Sequence, residues 1–181
     1  DADEVVDDEL AHFITAQAQH QPTSETPAAW WIRRKNFFFG RWLSKGGQYP
    51  DPVIRLFWAG KARLPMQDVH EQMIVTGKLA TAEGHLLHYS NPSFSEYLRK
   101  FNTYTSFKAD QLLANKTPLS FTNHVRYFFW LPITTFCSLF LRHRGYVDGL
   151  AGCIFAVMSG LHHAVSYLKL WEKTTYANHL D

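Results

Sequence analysis

Tyr127 to Leu141 (YFFWLPITTFCSLFL) is an apolar run of fifteen residues without a charge, interrupted by Pro132. No other feature restricts the fold as much. As a helix it is about 22 Å long at about 1.5 Å per residue, short of the roughly 30 Å hydrocarbon core of a bilayer. Leu150 to Leu161 is a second uncharged stretch, followed by His162-His163. Arg126, Arg142, His143 and Arg144 border the first run, and Lys169 and Lys173 follow the second. Short apolar helices with aromatic and basic borders suit an interfacial position beside anionic lipid headgroups. Packing on a sheet or a dimer contact is the competing use of such faces, and a membrane span is a third.

Upstream of these helices the texture differs. Glu4 to His20 reads as a helix with Val5, Val6, Leu10, Phe13, Ile14 and Ala18 as a rough apolar stripe. Gln21 to Pro27 is a loop. From Ala28 to about Tyr89 short β-prone runs alternate with Gly and Pro: Trp30-Trp31-Ile32, Phe37-Phe38-Phe39, Val53 to Trp58, Val69 to Val75, and His85 to Tyr89. Ser93-Phe94-Ser95-Glu96 is a capping box that opens a helix. Two further helices follow, over about Phe121–Arg142 and Asp148–Lys173. A boundary therefore falls between 91 and 92, separating a mixed α/β part (1–91) from a helical tail (92–181).

Composition narrows the function classes. An apolar fraction of 46% with 19% charged residues describes a folded chain. A net charge of +2 gives no argument for nucleic acid. Phe 14, Tyr 8 and Trp 6 supply rings for a core, for stacking on sugars or for a membrane interface. Cys137 and Cys153 lie in apolar stretches and read as buried free thiols.

Several residues could carry chemistry. Asp1 and Asp3 place two carboxylates one residue apart, a pair able to hold a hard divalent cation or merely to complement a helix start. His70-Glu71 offers a carboxylate that could serve as a general base. The zinc-protease motif beginning His-Glu requires a second His at position 74, where the chain has Ile74. His85 and His88 would point to opposite faces of a strand, so only one is expected at any site. Gly46-Gly47-Gln48-Tyr49-Pro50-Asp51 is either a turn or a loop through which backbone approaches a ligand closely.

In order along the chain, Asp1–Glu4, Arg33–Arg41, Gly46–Asp51, Arg55–Phe57, Val69–Glu71 and Leu87–Tyr89 resemble the motifs of family-2 glycosyltransferases. The branch most similar is that of the lipopolysaccharide core-biosynthesis glucosyltransferases. The tail adds Gly145 to Gly149 and Tyr167 to Glu172 to the likeness. The resemblance implies an α/β fold, the C-terminal part of a nucleotide-diphospho-sugar transferase domain of the GT-A, Rossmann-like type. The nucleotide-binding half is then expected to precede Asp1, making the chain a piece of a longer enzyme.

The resemblance also implies roles. Asp1, Asp3 and His88 would bind a divalent cation, Mg2+ or Mn2+, and Glu71 would be the acceptor-activating base of an inverting transfer, where the family more often has a Glu-Asp pair. Gly46, Gly47, Arg55, His70, Trp42 and Tyr49 would line the substrates. The implied partners are a nucleotide-diphospho-sugar donor, a lipid-linked or lipopolysaccharide-core acceptor and an anionic membrane surface, at the cytoplasmic face of the inner membrane. A reading from another class is a non-catalytic membrane-associated module; a third keeps the transferase but changes the acceptor.

Overall fold

The computed structural model describes residues 2–20, 22–23, 25–64 and 73–177. It contains strands and helices in one α/β chain that divides into two compact units. The first comprises Asp1–Phe37 and Gln48–Ser90, the second Phe38–Gly47 and Asn91–Asp181. The segment 38–47 thus belongs with the helices, although it lies inside the β-rich part of the sequence.

The first unit is built on strands β1 (Glu4–Val6), β2 (Ala29–Phe38), β4 (Asp51–Phe57) and β7 (Leu79–Asn91). β7 lies between β1 and β2, and β4 pairs with β2. β1 runs antiparallel to β7 with Glu4 opposite His88 and Val6 opposite Leu86. β4 is antiparallel to β2, with a register shift between Trp30 and Trp31. The two-residue strands β5 (Ala62–Arg63) and β6 (Ile74–Val75) pair separately.

Helix α1 spans Asp8–Ala18, so the single helix expected over Glu4–His20 is broken at its start. Two forces divide it. The β-branched pair Val5-Val6 favours a pleated strand, and Asp7 takes the N-cap position, its side chain accepting from Leu10 N–H at 2.9 Å. Asp8 and Glu9 then complement the positive end of the helix dipole. Leu10 is fully buried, and with Phe13 and Ile14 it packs on Trp30, Ile32, Ala82 and Leu86. That spacing of three and four residues is one helix face. Gly84 permits the approach: its φ is +79°, and a Cβ there would lie 2.3 Å from Leu10 N.

The second unit carries strand β3 (Arg41–Trp42) and helices α2 (Phe94–Ala114), α3 (Phe121–Val125), α4 (Leu131–Phe136) and α5 (Gly149–Ala177). Ser93 Oγ caps α2 by accepting from Glu96 N–H at 3.2 Å, the capping interaction its sequence indicated. The stretch 121–142 is helical throughout, but Arg126–Trp130 and Cys137–Arg142 are π-helical. Pro132 has no N–H to donate to the preceding turn, and the wider π turn just before it absorbs that missing bond. α5 packs on α2 and α4. Gly160 makes close crossing possible, since a Cβ there would lie 2.7 Å from Pro132 O.

Tyr167 and Leu170 on α5 are fully buried with Leu112, and Tyr127 stacks on Tyr167 at 4.6 Å. Lys169 Nζ ties α5 to α2, its three N–H bonds shared among Asn102 O, Asn102 Oδ1, Thr105 Oγ1 and Ser106 Oγ at 2.6–2.8 Å. Cys137 and Cys153 are free and half-buried, less enclosed than expected from their apolar surroundings. Many other apolar side chains of this unit face outward, among them Phe121, Phe129, Trp130, Ile133 and Leu150. Gly145–Thr175 is long and apolar enough to cross a membrane by length and composition.

Candidate functional site

The site grows from the alternation of β2. Ile32, Arg34 and Asn36 are two residues apart and share one face of the strand. Ile32 is core, whereas Arg34 and Asn36 extend that face as a polar surface. Asn36 Nδ2–H donates to Asp51 Oδ2 at 2.9 Å and to Gln48 O at 3.2 Å. With its amide nitrogen committed to two oxygens, Asn36 turns Oδ1 toward His88 Nδ1 at 2.7 Å. His88 therefore carries its proton on Nδ1. Its Nε2 lone pair faces Asp3, whose Oδ2 lies 3.5 Å away. Burial first, and then the charge of Arg34, push the His88 ring below the usual histidine range, so it is neutral at pH 7.

Around this centre the charges are paired. Arg34 donates to Asp51 Oδ2 through Nε at 2.9 Å and Nη2 at 2.6 Å, and to Glu4 Oε1 at 3.1 Å. Arg55 Nε reaches Glu4 Oε2 at 3.2 Å. The Glu4 side chain is only 4% exposed. Burial raises its pKa, but the hydrogen bonds and charges of Arg55 and Arg34 outweigh that and hold it below the ordinary carboxylate value. Arg55, expected to meet substrate, thus contacts the acidic motif itself.

A second array lies in the same unit. Asp7 Oδ1 accepts from the N–H groups of Leu10 and His85, and Asp7 Oδ2 meets His85 Nδ1 at 3.2 Å. On its other side His85 Nε2 contacts Tyr49 OH at 3.0 Å. Asp7 Oδ2 accepts from His85 Nδ1–H, and Tyr49 OH hydrogen-bonds Nε2 on the other side of the ring. Asp7, Glu9 and His85 bring ligand atoms within 4.8 Å of one another. Both Asp7 oxygens are already engaged, and the cluster is explained as a helix cap that also orients His85. The two histidines of β7 therefore serve different partners.

Ligand oxygen and nitrogen atoms each about 2.1 Å from an ion can stand up to about 4.2 Å apart. Asp3 Oδ2 and His88 Nε2 at 3.5 Å satisfy that condition. The Nδ1–H held by Asn36 supplies the outer contact that metal-binding histidines use. Asp1, His70 and Glu71 lie outside the described residues.

Gly46, Gly47 and Trp42 belong to the second unit. Gly46 and Gly47 adopt φ of +63° and +73°, and Gly46 N–H donates to His143 O at 2.9 Å. Among the aromatic rings available for stacking on sugars, Trp30 is core, in edge contact with Phe13 and Trp58. Trp31, Trp42 and Tyr49 are half-buried.

Asn36, Asp51, Arg34 and Glu4 were not singled out from sequence as site residues. All four sit inside the motif segments quoted above, and that shared placement was the available signal. Segments 1–4, 33–41, 46–51, 55–57 and 87–89 each contribute at least one residue to the network in the first unit.

No family model and no solved structure matches the chain. Among curated proteins it is similar to the lipopolysaccharide core biosynthesis glycosyltransferase LpsC of Rhizobium meliloti (strain 1021), at 27% identity over 175 residues. The match covers 96% of this chain and 62% of that protein, so the chain spans less than two thirds of the length of the glycosyltransferase it resembles.

Proposed function

We propose that this chain serves an inverting glycosyltransferase of the GT-A type, which moves a sugar from a nucleotide-diphospho-sugar to a hydroxyl of a lipid-linked or lipopolysaccharide-core acceptor. The observation that carries this reading is the facing pair Asp3 and His88, held by a network into which five separated motif segments converge. The likeness to LpsC supports the same class of chemistry.

In this reading Asp3 and His88, with Asp1, hold a Mg2+ or Mn2+ ion. Such an ion supplies positive charge to a departing diphosphate. The chain's own residues do the rest. Asn36 fixes the ring of His88, and Asp51 fixes Asn36. Arg34 and Arg55 keep Glu4 ionised and anchored, which holds the strand that presents Asp3. Tyr49, oriented by His85, presents its phenolic oxygen to a sugar hydroxyl. Glu71 takes the proton of the acceptor hydroxyl as that oxygen attacks the anomeric carbon from the face opposite the leaving diphosphate. The exposed apolar side chains of the helical unit keep the enzyme at the cytoplasmic membrane face, where a lipid-linked acceptor resides.

The test is transfer from a radiolabelled nucleotide-diphospho-sugar by the full-length protein. Chelation should abolish transfer and added Mn2+ restore it. Glu71→Gln should cut turnover by about 10²–10⁴-fold with donor affinity nearly unchanged. Asp68, the carboxylate three residues upstream, is the rival base: if Asp68→Asn abolishes turnover and Glu71→Gln does not, the base is Asp68. Full transfer in the presence of chelator removes the metal role.

A further inference from the structure

The tip where the helical stretch 121–142 turns into α5 forms a surface with a segment about a hundred residues earlier in the chain. Asp148, 4% exposed, accepts from Ser44 N–H at 3.1 Å, Ser44 Oγ–H at 2.8 Å and Lys45 N–H at 2.8 Å. Gly46 N–H donates to His143 O at 2.9 Å. Arg41 Nη1 lies 3.8 Å from where a Cβ on Gly149 would stand. These bonds fix segment 38–47 against segment 139–150, within the one compact unit that holds both.

Its charge is one-sided. Arg41, Lys45, Arg142, His143 and Arg144 are all exposed or carried on this tip. Asp148 is the one acid in the two segments, and it is buried with its oxygens occupied by the three donors above. Of the other acids described in the same unit, Glu96 and Asp110 are paired with Arg99 and Lys173, and Glu172 lies more than twenty residues along α5 from the tip. Apolar side chains stand among the cations: Leu141 is 57% exposed, Tyr146 49% and Leu150 74%.

Arg144 adds a conformational observation. Its φ of +59° is left-handed, a helix-ending position that glycine usually takes. A side chain there is strained, so the position keeps a guanidinium at the expense of local stability.

We infer that this composite tip is the surface that docks on anionic phospholipid headgroups, its cations meeting lipid phosphates and Leu141, Tyr146 and Leu150 entering the acyl boundary. The cations alone would also suit a nucleic acid. The exposed aliphatic side chains between them favour a bilayer, which offers phosphate and hydrocarbon within one layer. The inference rests on the proposed membrane location and specifies which part of the molecule makes the contact.

Co-sedimentation of the full-length protein with phosphatidylcholine vesicles, with and without phosphatidylglycerol, tests it. The wild type should bind the anionic vesicles more tightly, and added salt should remove the difference. The triple variant Lys45→Ser, Arg142→Ser, Arg144→Gly should lose about fivefold in affinity per cation, about a hundredfold in all, on anionic vesicles only. Arg144→Gly alone should lose about fivefold while its thermal midpoint does not fall, which separates docking from folding. Equal binding to both vesicles, unchanged by these variants, overturns the tip but leaves the membrane location standing. Binding to neither overturns both. Binding of the wild type to a duplex oligonucleotide but to neither vesicle assigns the cations to nucleic acid and also overturns the proposal.

Discussion

His88 Nδ1 stands 2.7 Å from Asn36 Oδ1, and this bond decides which nitrogen of the ring faces Asp3. Asn36 cannot reverse its amide without turning its oxygen toward the Asp51 carboxylate and the Gln48 carbonyl. The tautomer that leaves His88 Nε2 turned to Asp3, where the proposed ion would sit, is therefore set by Asn36 and Asp51.

Removing that support should weaken the proposed cation site without removing a ligand. Asn36→Leu in the full-length protein should lower Mn2+ affinity by about 10–100-fold, read by calorimetric titration. Asp3→Asn, which deletes a ligand, should lower it further. Indistinguishable Mn2+ titrations for wild type and Asn36→Leu would remove the role assigned to the network.

Acid should destabilise the first unit through Glu4 and Asp7. For Asp7, burial raises the pKa, but the N–H groups of His85 and Leu10 outweigh it and the net shift is downward. Glu4 is lowered by Arg55 and Arg34 in the same sense. A carboxyl whose folded pKa is depressed contributes stability that is complete above its unfolded value, near pH 4, and is lost as pH falls through the folded value. Urea unfolding between about pH 5 and pH 2 should show this fall. The double variant Glu4→Gln, Asp7→Asn should have a flatter profile there. At neutral pH, Asp7→Ala should cost about 1–2 kcal/mol through loss of the N-cap.

Two glycines with nearly equal φ separate backbone conformation from space. Gly40 has φ +75° and open surroundings, whereas Gly84 at φ +79° has Leu10 N and Asp7 Oδ1 within 2.6 Å of the Cβ position. Gly40→Ala should cost about 1–2 kcal/mol, the left-handed penalty alone. Gly84→Ala should cost more than about 4 kcal/mol, because the start of α1 must move off β7. Equal thermal midpoints for the two variants would contradict the packing described for Gly84.

Three consecutive aromatics on the helical stretch should behave differently. Phe129 and Trp130 are 62% and 66% exposed, whereas Phe128 makes edge contact with Tyr167. Phe129→Ser with Trp130→Ser should reduce partitioning onto phosphatidylcholine–phosphatidylglycerol vesicles with little change in unfolding midpoint. Phe128→Ser should lower the midpoint. If partitioning is untouched by the first pair, these rings are not part of the membrane contact.

Local chemistry was readable before the structure. Ser93 announced α2 because a short hydroxyl three residues ahead of Glu96 satisfies N–H groups that the helix leaves unpaired. The two-residue period of a strand separated His85 from His88, and they do meet different partners. The starts of the tail helices lie at or beside the expected positions, whereas α5 runs on to Ala177 and 121–142 is interrupted by π-helical turns. The start of α1 was misjudged because Val5 and Val6 fit an apolar helical stripe as well as a strand. The choice was made by Leu87 and Leu86 on β7, eighty residues away.

The sequence by itself determined the tail helices, the Ser93 cap and most of the extended runs, though not the start of α1, and which short motifs carry carboxylates, imidazoles and guanidinium groups. Those properties depend on neighbours within a few positions, which the chain displays directly. Tertiary structure alone decided that Asp3 faces His88, that Asn36 sets the ring's tautomer, that Arg55 serves Glu4, and that segment 38–47 joins the helices through Asp148. Each of these is a hydrogen bond or ion pair between residues tens to a hundred positions apart. Their partners are selected by strand register and helix packing, and only the folded chain contains that information.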